Sequence, residues 1–581
     1  MAPLNKTTAA GMRINPGKLK EELEAVYTFL EEQKAPQRLF AADASLWKTD
    51  PEQVKSINNR LGWLKVPDTM VQEADELAAF ADQIKGEGYK YVVLLGMGGS
   101  SLCSEVARET FGSAEGYPEL FVLDNTSPEA ILDLQKQIDI EKTLFIAASK
   151  SGGTKETLSF FKYFYALLTV KGFRQPGHNF IAITDADTPL VKMAEDYHFR
   201  KVFINPTDIG GRYSVLSYFG IVPFALMGMD IKSLLQSAIQ METSCKALNS
   251  ADNPGISLGA VLGVCQQHGR DKVTFVLSSS ISSFGYWVEQ LLAESTGKEG
   301  KGLIPVNGEQ IGPPDVYGDD RLFIHIYMES DNNEADDNKL ISLETAGHPV
   351  VRVSITDKIA LGAEFYRWEV ATAIAGVLIG INPFDEPNVA ESKKNTDTLL
   401  EEWQRSGIFK KLTPLLQTDE ITIYGGEKTL QLIGMNEDST GKLIADFTDL
   451  KKPHDYIALL PYFLMTDERT ELLQTWRQQM RNDLRVATTL LNGPRYLHST
   501  GQLHKGGPDT GLYIILTGDE DGDLLIPDEK YGFATLHQAQ ALGDFRSLDH
   551  KGRRVIRIEL GKNIDDGLKK LWRSIKELDS Q

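Results

Sequence analysis

The sequence predicts an α/β protein: two doubly wound parallel-sheet domains, with a helical lead-in before them and a C-terminal α/β region after them. Three observations carry that expectation. Between Tyr91 and Pro206 the runs YVVLLG, LFVLD, TLFIAAS, NFIAITD and KVFINP each end in Gly, Asp, Ser or Pro and pass into helix-like sequence. Such alternation marks a parallel sheet covered by helices on both faces. The same rhythm restarts at KVTFVLSSS (272–280), RLFIHIYM (321–328) and PVVRVSI (349–355). The chain's 581 residues also exceed what one core of roughly 100–200 residues uses.

Residues 1–85 form the lead-in. EELEAVYTFLEEQ and MVQEADELAAFADQI place apolar residues at the three-and-four spacing of a helix. Residues 86–248 form the first sheet domain, closed by helical sequence from Arg212 to Leu248, and residues 249–405 form the second. From 406 to 581 the rhythm weakens: EITIYGG, DYIALLPYF, GLYIILTGD and RRVIRIEL read as strands around one charged helix, DERTELLQTWRQQMRNDLRVATTLL. No short period repeats, which excludes a solenoid.

The balance of 61 basic against 81 acidic side chains repels polyanions, so nucleic acid and anionic membrane are excluded as partners. Cys103, Cys245 and Cys265 are too scattered for a disulfide framework or a CxxC metal site, and their odd number fits a reducing compartment. The N-terminal MAPLNKTTAAGMRINPGKL lacks an apolar targeting segment, and no window reaches the ~18 apolar residues of a membrane span. The expectation is a soluble, cytoplasmic protein.

Two strand-to-helix turns are unusual. LLGMGGSSLCSEV puts Gly96, Gly98 and Gly99 before Ser100 and Ser101, and ASKSGGTKET (148–157) contains SKSGGT, three hydroxyls and a lysine around two glycines. Glycine lets backbone approach a ligand, and the free N–H groups of a helix start attract an anion. Either turn alone serves equally well as a helix cap. Two such turns, each after a strand, point to a phosphate monoester, and the absence of GxxxxGK[ST] argues against a nucleoside triphosphate.

Four motifs then occur in a telling order: Gly-x-Gly-Gly-Ser, Ser-Lys-Ser-x-x-Thr, GGRYSVLS (210–217) and AESTGKEGKG (293–302). With LGAEFYRWEVATAIAGVLIGINPFDEPNV (361–389), they resemble the phosphoglucose isomerase family from about Tyr91 to Lys394. The C-terminal third is similar to the isomerase portion of bacterial transaldolase fusion proteins. The resemblance implies two flavodoxin-like sugar-isomerase domains and interconversion of glucose 6-phosphate and fructose 6-phosphate through an enediolate. It implies no metal or organic cofactor, a small sugar phosphate as ligand, and a homodimer.

Within that resemblance Glu294 is the base that moves the proton between C1 and C2. A glutamate at a helix C-terminus is disfavoured by the dipole, which speaks for a purpose other than stability. Arg212 is the permanent cation for the enediolate oxygen. Ser149, Lys150, Ser151 and Thr154 bind the phosphate, and Gly99, Ser100 and Gly211 face the sugar. Lys393 assists ring opening. Glu386 stands where the family pattern has Gln, so an acceptor-only group replaces a donor-and-acceptor.

The family's ring-opening histidine follows its glutamate in a TNGQH stretch. Here the only histidine in that stretch, His325, lies in a strand read as core. Much later, RYLHSTGQLHKGGPDTGLYIIL (495–516) holds His498, Gln502, His504 and Lys505 in a glycine-bounded loop. Because STGQLHK is similar to TNGQH, His504 with Lys505 is the expected proton relay. Two other functions fit the motifs: a broader isomerase that also takes mannose 6-phosphate, and a phosphosugar-sensing regulator. The regulator would carry a basic DNA-reading helix, which neither the charge nor the N-terminal helices supply.

Overall fold

A computed structural model describes residues 11–433, 439–519 and 522–579. The first ten residues of the expected lead-in lie outside the described residues. Three sheets organise the chain. Strand β1 (Met12–Asn15) joins the second of them. The first holds β2 (Tyr91–Leu95), β3 (Glu119–Leu123), β4 (Thr143–Ala148), β5 (Phe180–Asp185) and β6 (Lys201–Asn205), all parallel, in the order β3-β2-β4-β5-β6. All six residues of β4 and of β5 are buried, as a parallel strand covered on both faces requires. The chain leaves β2 for β3 on one side and returns to β4 on the other. The turns GMGGSS and SKSGGT therefore flank the switch point of this sheet, where strand-end loops diverge and leave a crevice.

The second sheet contains β7 (Lys272–Leu277), β8 (Ile304–Val306), β9 (Arg321–Met328) and β10 (Val350–Ile355), in the order β1-β10-β9-β7-β8. Its strands are parallel except β1, which pairs antiparallel with β10 through Met12 opposite Val353. The lead-in is thus stitched into the second sheet rather than purely helical. Four residues are too short a run to show a strand period. Helix Val66–Gly86 buries Met70, Ala74, Leu77, Ala81 and Ile84 and packs against helices Tyr218–Leu226 and Ile231–Cys245.

Helix Leu361–Ile379 is apolar nearly all round and lies buried against helices Ile231–Cys245 and Pro254–Gln267, the position such a helix must take. Its buried Phe365 and Trp368 each contribute about 1.5–3 kcal/mol of transfer free energy. Strand residues of the first and second sheets, Ile146 and Ile324 among them, belong to one continuous apolar core.

The third sheet contains β11 (Leu416–Gln417), β12 (Thr422–Gly425), β13 (Tyr456–Tyr462), β14 (Ala487–Leu490), β15 (Gly511–Thr517) and β16 (Arg554–Glu559), in the order β11-β12-β16-β15-β13-β14. Its central strands are parallel. The charged helix ends at Leu484, with Arg485 in left-handed backbone at φ 55°, and the β-branched stretch after it becomes β14. Valine and threonine favour the pleated strand over the helix. The loop after β14 consequently opens at a carboxyl strand end and reaches toward the first sheet. No helix among the described residues is long and apolar enough to cross a membrane.

Candidate active site

A cavity of about 460 Å3 lies where the two glycine-hydroxyl turns, the GGRYS loop and helix Phe284–Thr296 converge. The glycines act by proximity. A Cβ on Gly99 would stand 2.1 Å from the carbonyl oxygen of Gly211, and one on Gly98 would stand 2.5 Å from that of His498. Three chain segments therefore meet backbone to backbone along one wall. Gly98 also has φ 56°, a conformation other residues rarely adopt.

In SKSGGT, Thr154 occupies the cap position of helix Lys155–Val170 but makes no side-chain cap bond. Its hydroxyl meets Ser149 Oγ at 2.8 Å instead. Ser151 and Thr154 line the cavity at the start of this helix, and a helix N-terminus favours an anion. Ser149 is not on the wall: it is 1% exposed and sits behind Thr154. Lys150 lines the cavity with its ammonium tied to Asp185 Oδ2 and, at 3.2 Å, to the Thr207 carbonyl. Ser100, Gly99 and Gly211 also line it.

Arg212 is 2% exposed and almost fully occupied. Its Nε donates to Ser295 Oγ at 2.8 Å, and Nη2 donates to the carbonyls of Pro383 at 2.9 Å and Asp385 at 2.8 Å. Nη1 is left between two carboxylates, Glu294 Oε1 and Glu386 Oε2, each at 3.2 Å. Glu294 Oε2 accepts from Gln290 Nε2 at 2.9 Å. Burial pushes the Glu294 carboxyl above its ordinary value, Glu386 adds to the rise, and the Arg212 guanidinium opposes it. Lys298 of the same ESTGK motif binds Asp385 Oδ1 at 2.8 Å, and burial, with Arg212 nearby, pulls it down to about 8.

The histidine at the cavity is His498, not His504. His498 Nε2 meets Glu156 Oε1 at 2.9 Å, and its carbonyl accepts from Gln290 Nε2 at 2.9 Å. One amide nitrogen therefore touches both Glu294 and the His498 backbone. Burial opposes ionisation of Glu156, yet the charge and hydrogen bond of His498, with Lys393 beyond, hold its carboxyl down at about 2. Lys393 also lines the cavity.

His504 and Lys505 lie in short helix Gly501–Gly506 and are 1% and 3% exposed. Neither lines the cavity. The His504 ring sits between Tyr496 and Tyr513, 5.6 and 5.0 Å between centroids, and burial drives its basicity well below the ordinary value. Lys505 Nζ pairs with Asp544 Oδ1 at 2.6 Å, while the Tyr496 hydroxyl donates to Asp544 Oδ2 at 2.5 Å. This buried network anchors the loop that carries His498. His498 closes the short 3-10 helix Arg495–His498 on the loop that follows β14, and this position separates the two histidines. Arg60 of the lead-in lines the cavity as well, with nothing in its local sequence to announce it. His325 is fully buried in β9. Among the described residues no group of three or more His, Cys, Asp or Glu side chains could hold a metal ion.

The model of the phosphoglucose isomerase family matches residues 65–308, a span that holds all four glycine-bearing motifs. A probable glucose-6-phosphate isomerase from Methanococcus maripaludis is 30% identical over 379 residues, which are 58% of this chain and 84% of that protein. Glucose-6-phosphate isomerase from Staphylococcus saprophyticus is 28% identical over 402 residues, 60% of this chain and 90% of that one. Among solved structures, a hypothetical protein from Thermus thermophilus aligns at TM-score 0.56 with 24% identity, over 67% of this chain and 99% of that one. A glucose-6-phosphate isomerase from Chlamydia trachomatis aligns at 0.55 with 17% identity, over 68% and 89%. These two support the sugar-isomerase fold. A large part of this chain lies outside what it shares with those relatives, but nearly the whole of each relative is matched, and the chain belongs to the phosphoglucose isomerase family.

Proposed function

We propose that the chain is a glucose-6-phosphate isomerase, interconverting glucose 6-phosphate and fructose 6-phosphate, with its catalytic groups drawn from both sheet domains and the C-terminal region. The observation that carries this reading is the buried Arg212–Glu294 contact at 3.2 Å in the same cavity as an uncapped, hydroxyl-lined helix start. The phosphate is held by Ser151, Thr154 and the first N–H groups of helix Lys155–Val170. Its position sets the far end of the open sugar against Glu294.

Glu294 takes the proton from one carbon and returns it to the neighbour. Its raised basicity suits that task, because a general base works best near the operating pH. Arg212 Nη1 faces the oxygen where charge develops, while three acceptors on Nε and Nη2 hold the guanidinium in place. Before that step the ring must open: His498, paired with Glu156, moves the proton from the anomeric hydroxyl to the ring oxygen, and Lys393 is the neighbouring cation.

His498 from the C-terminal region of the same chain stands on the cavity wall, and the homodimer implied by the resemblance remains part of this reading. Three buried free cysteines favour a reducing, cytoplasmic setting. The test is incubation of the purified chain with fructose 6-phosphate in deuterated water. Glucose 6-phosphate carrying deuterium at C2 is expected. Tight binding of the sugar phosphate without turnover would instead favour a sensor.

A further inference from the structure

The contact between His498 and Glu156 does not end at the carboxylate. Glu156 Oε1, which meets His498 Nε2 at 2.9 Å, also accepts a hydrogen bond from Gln540 Nε2 at 2.6 Å. Gln540 Oε1 in turn accepts from the Thr126 hydroxyl at 2.6 Å. Thr126, Glu156 and Gln540 are 0%, 6% and 3% exposed. They come from the loop after β3, the first turn of helix Lys155–Val170, and helix Phe533–His550. Two of these belong to the first sheet domain and one to the C-terminal region, so the line crosses the junction that brings His498 to the cavity.

The polarity of this line is fixed by chemistry. An amide offers an acceptor on one side and donors on the other. The reverse orientation of Gln540 would set its oxygen against the ionised Glu156, two acceptors at hydrogen-bond distance in a buried place. Gln540 therefore donates to Glu156, and Glu156 has only acceptor capacity to offer His498. His498 Nε2 must carry the hydrogen of that contact, which leaves Nδ1 as the ring nitrogen able to reach a substrate. A hydrogen-bonded carboxylate that sets the tautomer and tilt of an imidazole is the usual means of holding such a group in register.

We propose that Gln540, braced by Thr126, is a positioning residue for ring opening, holding Glu156 in the orientation that presents His498 Nδ1 to the sugar ring oxygen. This rests on the reading of His498 as the ring-opening group. It also gives the C-terminal region a second role beside delivery of the histidine: it supplies the donor that keeps the partner carboxylate in place. The charged groups facing the pair are Lys393 of helix Val389–Ser406 and the Lys155–Asp397 ion pair, 2.6 Å apart, behind it. Gln540 itself is neutral.

The test uses the full chain with Gln540→Met, which keeps the volume and removes the amide, and Thr126→Val, which removes the brace from the other end. Each is assayed on ring-forming fructose 6-phosphate and on a four-carbon aldose phosphate that has no free hydroxyl placed to close a ring. Gln540→Met is expected to lose about tenfold in kcat on the ring-forming substrate, with KM and the open-chain rate unchanged. Thr126→Val is expected to follow in the same direction by a smaller factor.

Equal losses on both substrates, or no loss on either, in chains that melt as the wild type does, overturn the proposal. If Gln540→Met does not fold, the substrate selectivity of Thr126→Val, with its loss in kcat and not in KM, decides in the same way. His498→Ala is run beside them. A selective loss there, absent from both other variants, removes the role of Gln540 alone. No selective loss in His498→Ala removes the reading of His498 and this inference with it.

Discussion

Glu294 and Glu386 approach one nitrogen: each places an oxygen 3.2 Å from Arg212 Nη1. Burial raises the proton affinity of Glu294, the Arg212 charge opposes the rise, and the Glu386 charge adds to it. Glu294 works as a base only when ionised, so its raised value sets the low-pH limb of activity. Glu386→Gln removes one negative charge and lets the Glu294 value fall. The low-pH limb of kcat/KM for fructose 6-phosphate is therefore expected to move to lower pH. A limb that stays in place would show that Glu386 does not act on Glu294.

The two histidines separate cleanly. His498→Ala is expected to cost about 10²–10⁴-fold on a ring-forming substrate and little on an open-chain one. His504→Ala is expected to lower the melting temperature without any preference between the two substrates. Its ring packs on Tyr496 and Tyr513 in the interior, so deleting it opens a cavity. Parallel rate measurements on both substrates check this.

Lys505 and Asp544 form an ion pair that is 1% and 0% exposed on its side chains. Removal of one partner leaves the other charge buried, which costs about 3–5 kcal/mol. Lys505→Met is expected to destabilise the chain by that amount in denaturant titration. Lys505→Met with Asp544→Leu should recover part of it.

Gly99→Ala pushes a Cβ to 2.1 Å from the Gly211 carbonyl oxygen. The two turns must then part, which displaces Arg212 relative to Ser100. Misplacement by about 1 Å costs on the order of 10²-fold in rate. The variant is expected to lose kcat/KM by that factor while its far-ultraviolet circular dichroism stays unchanged.

Glu156 has its carboxyl held at about 2, against an ordinary value of 4.5. A carboxyl depressed by folding stabilises the native state above its unfolded value and loses that contribution as pH falls through its folded value. Between pH 4.5 and about 2 the wild type should therefore lose its stability advantage over Glu156→Gln. Melting curves of both chains across that window check the sign.

Much of the fold is legible in the sequence because parallel strands buried on both faces are short, apolar and punctuated, as in TLFIAAS and NFIAITD. β1 escapes because its four residues gain their strand state from β10, not from their own pattern. β14 is hidden inside a helix-like run and is marked only by its β-branched residues. Gly99, Arg212 and Glu294 are legible because close backbone approach and a buried counter-charge leave local motifs. His498 is not: its meaning depends on where the third sheet places the end of β14 against the first. Gln540 and Arg60 come from segments far from the cavity in sequence, so only the tertiary arrangement brings them in. A string likeness to TNGQH selects His504, which the short helix after His498 turns into the interior.

In the proposed mechanism Glu294 carries the proton between the two carbons while Arg212 steadies the oxygen. Glu294→Gln keeps the size and the contact with Gln290 but removes the base. Its rate of fructose 6-phosphate isomerisation, measured in deuterated water together with KM, is the direct test. The expected result is a loss of about a thousandfold in kcat, no deuterium at C2, and a KM close to that of the wild type. Isomerisation and deuterium incorporation at near wild-type rates in Glu294→Gln would remove Glu294 from the role of base.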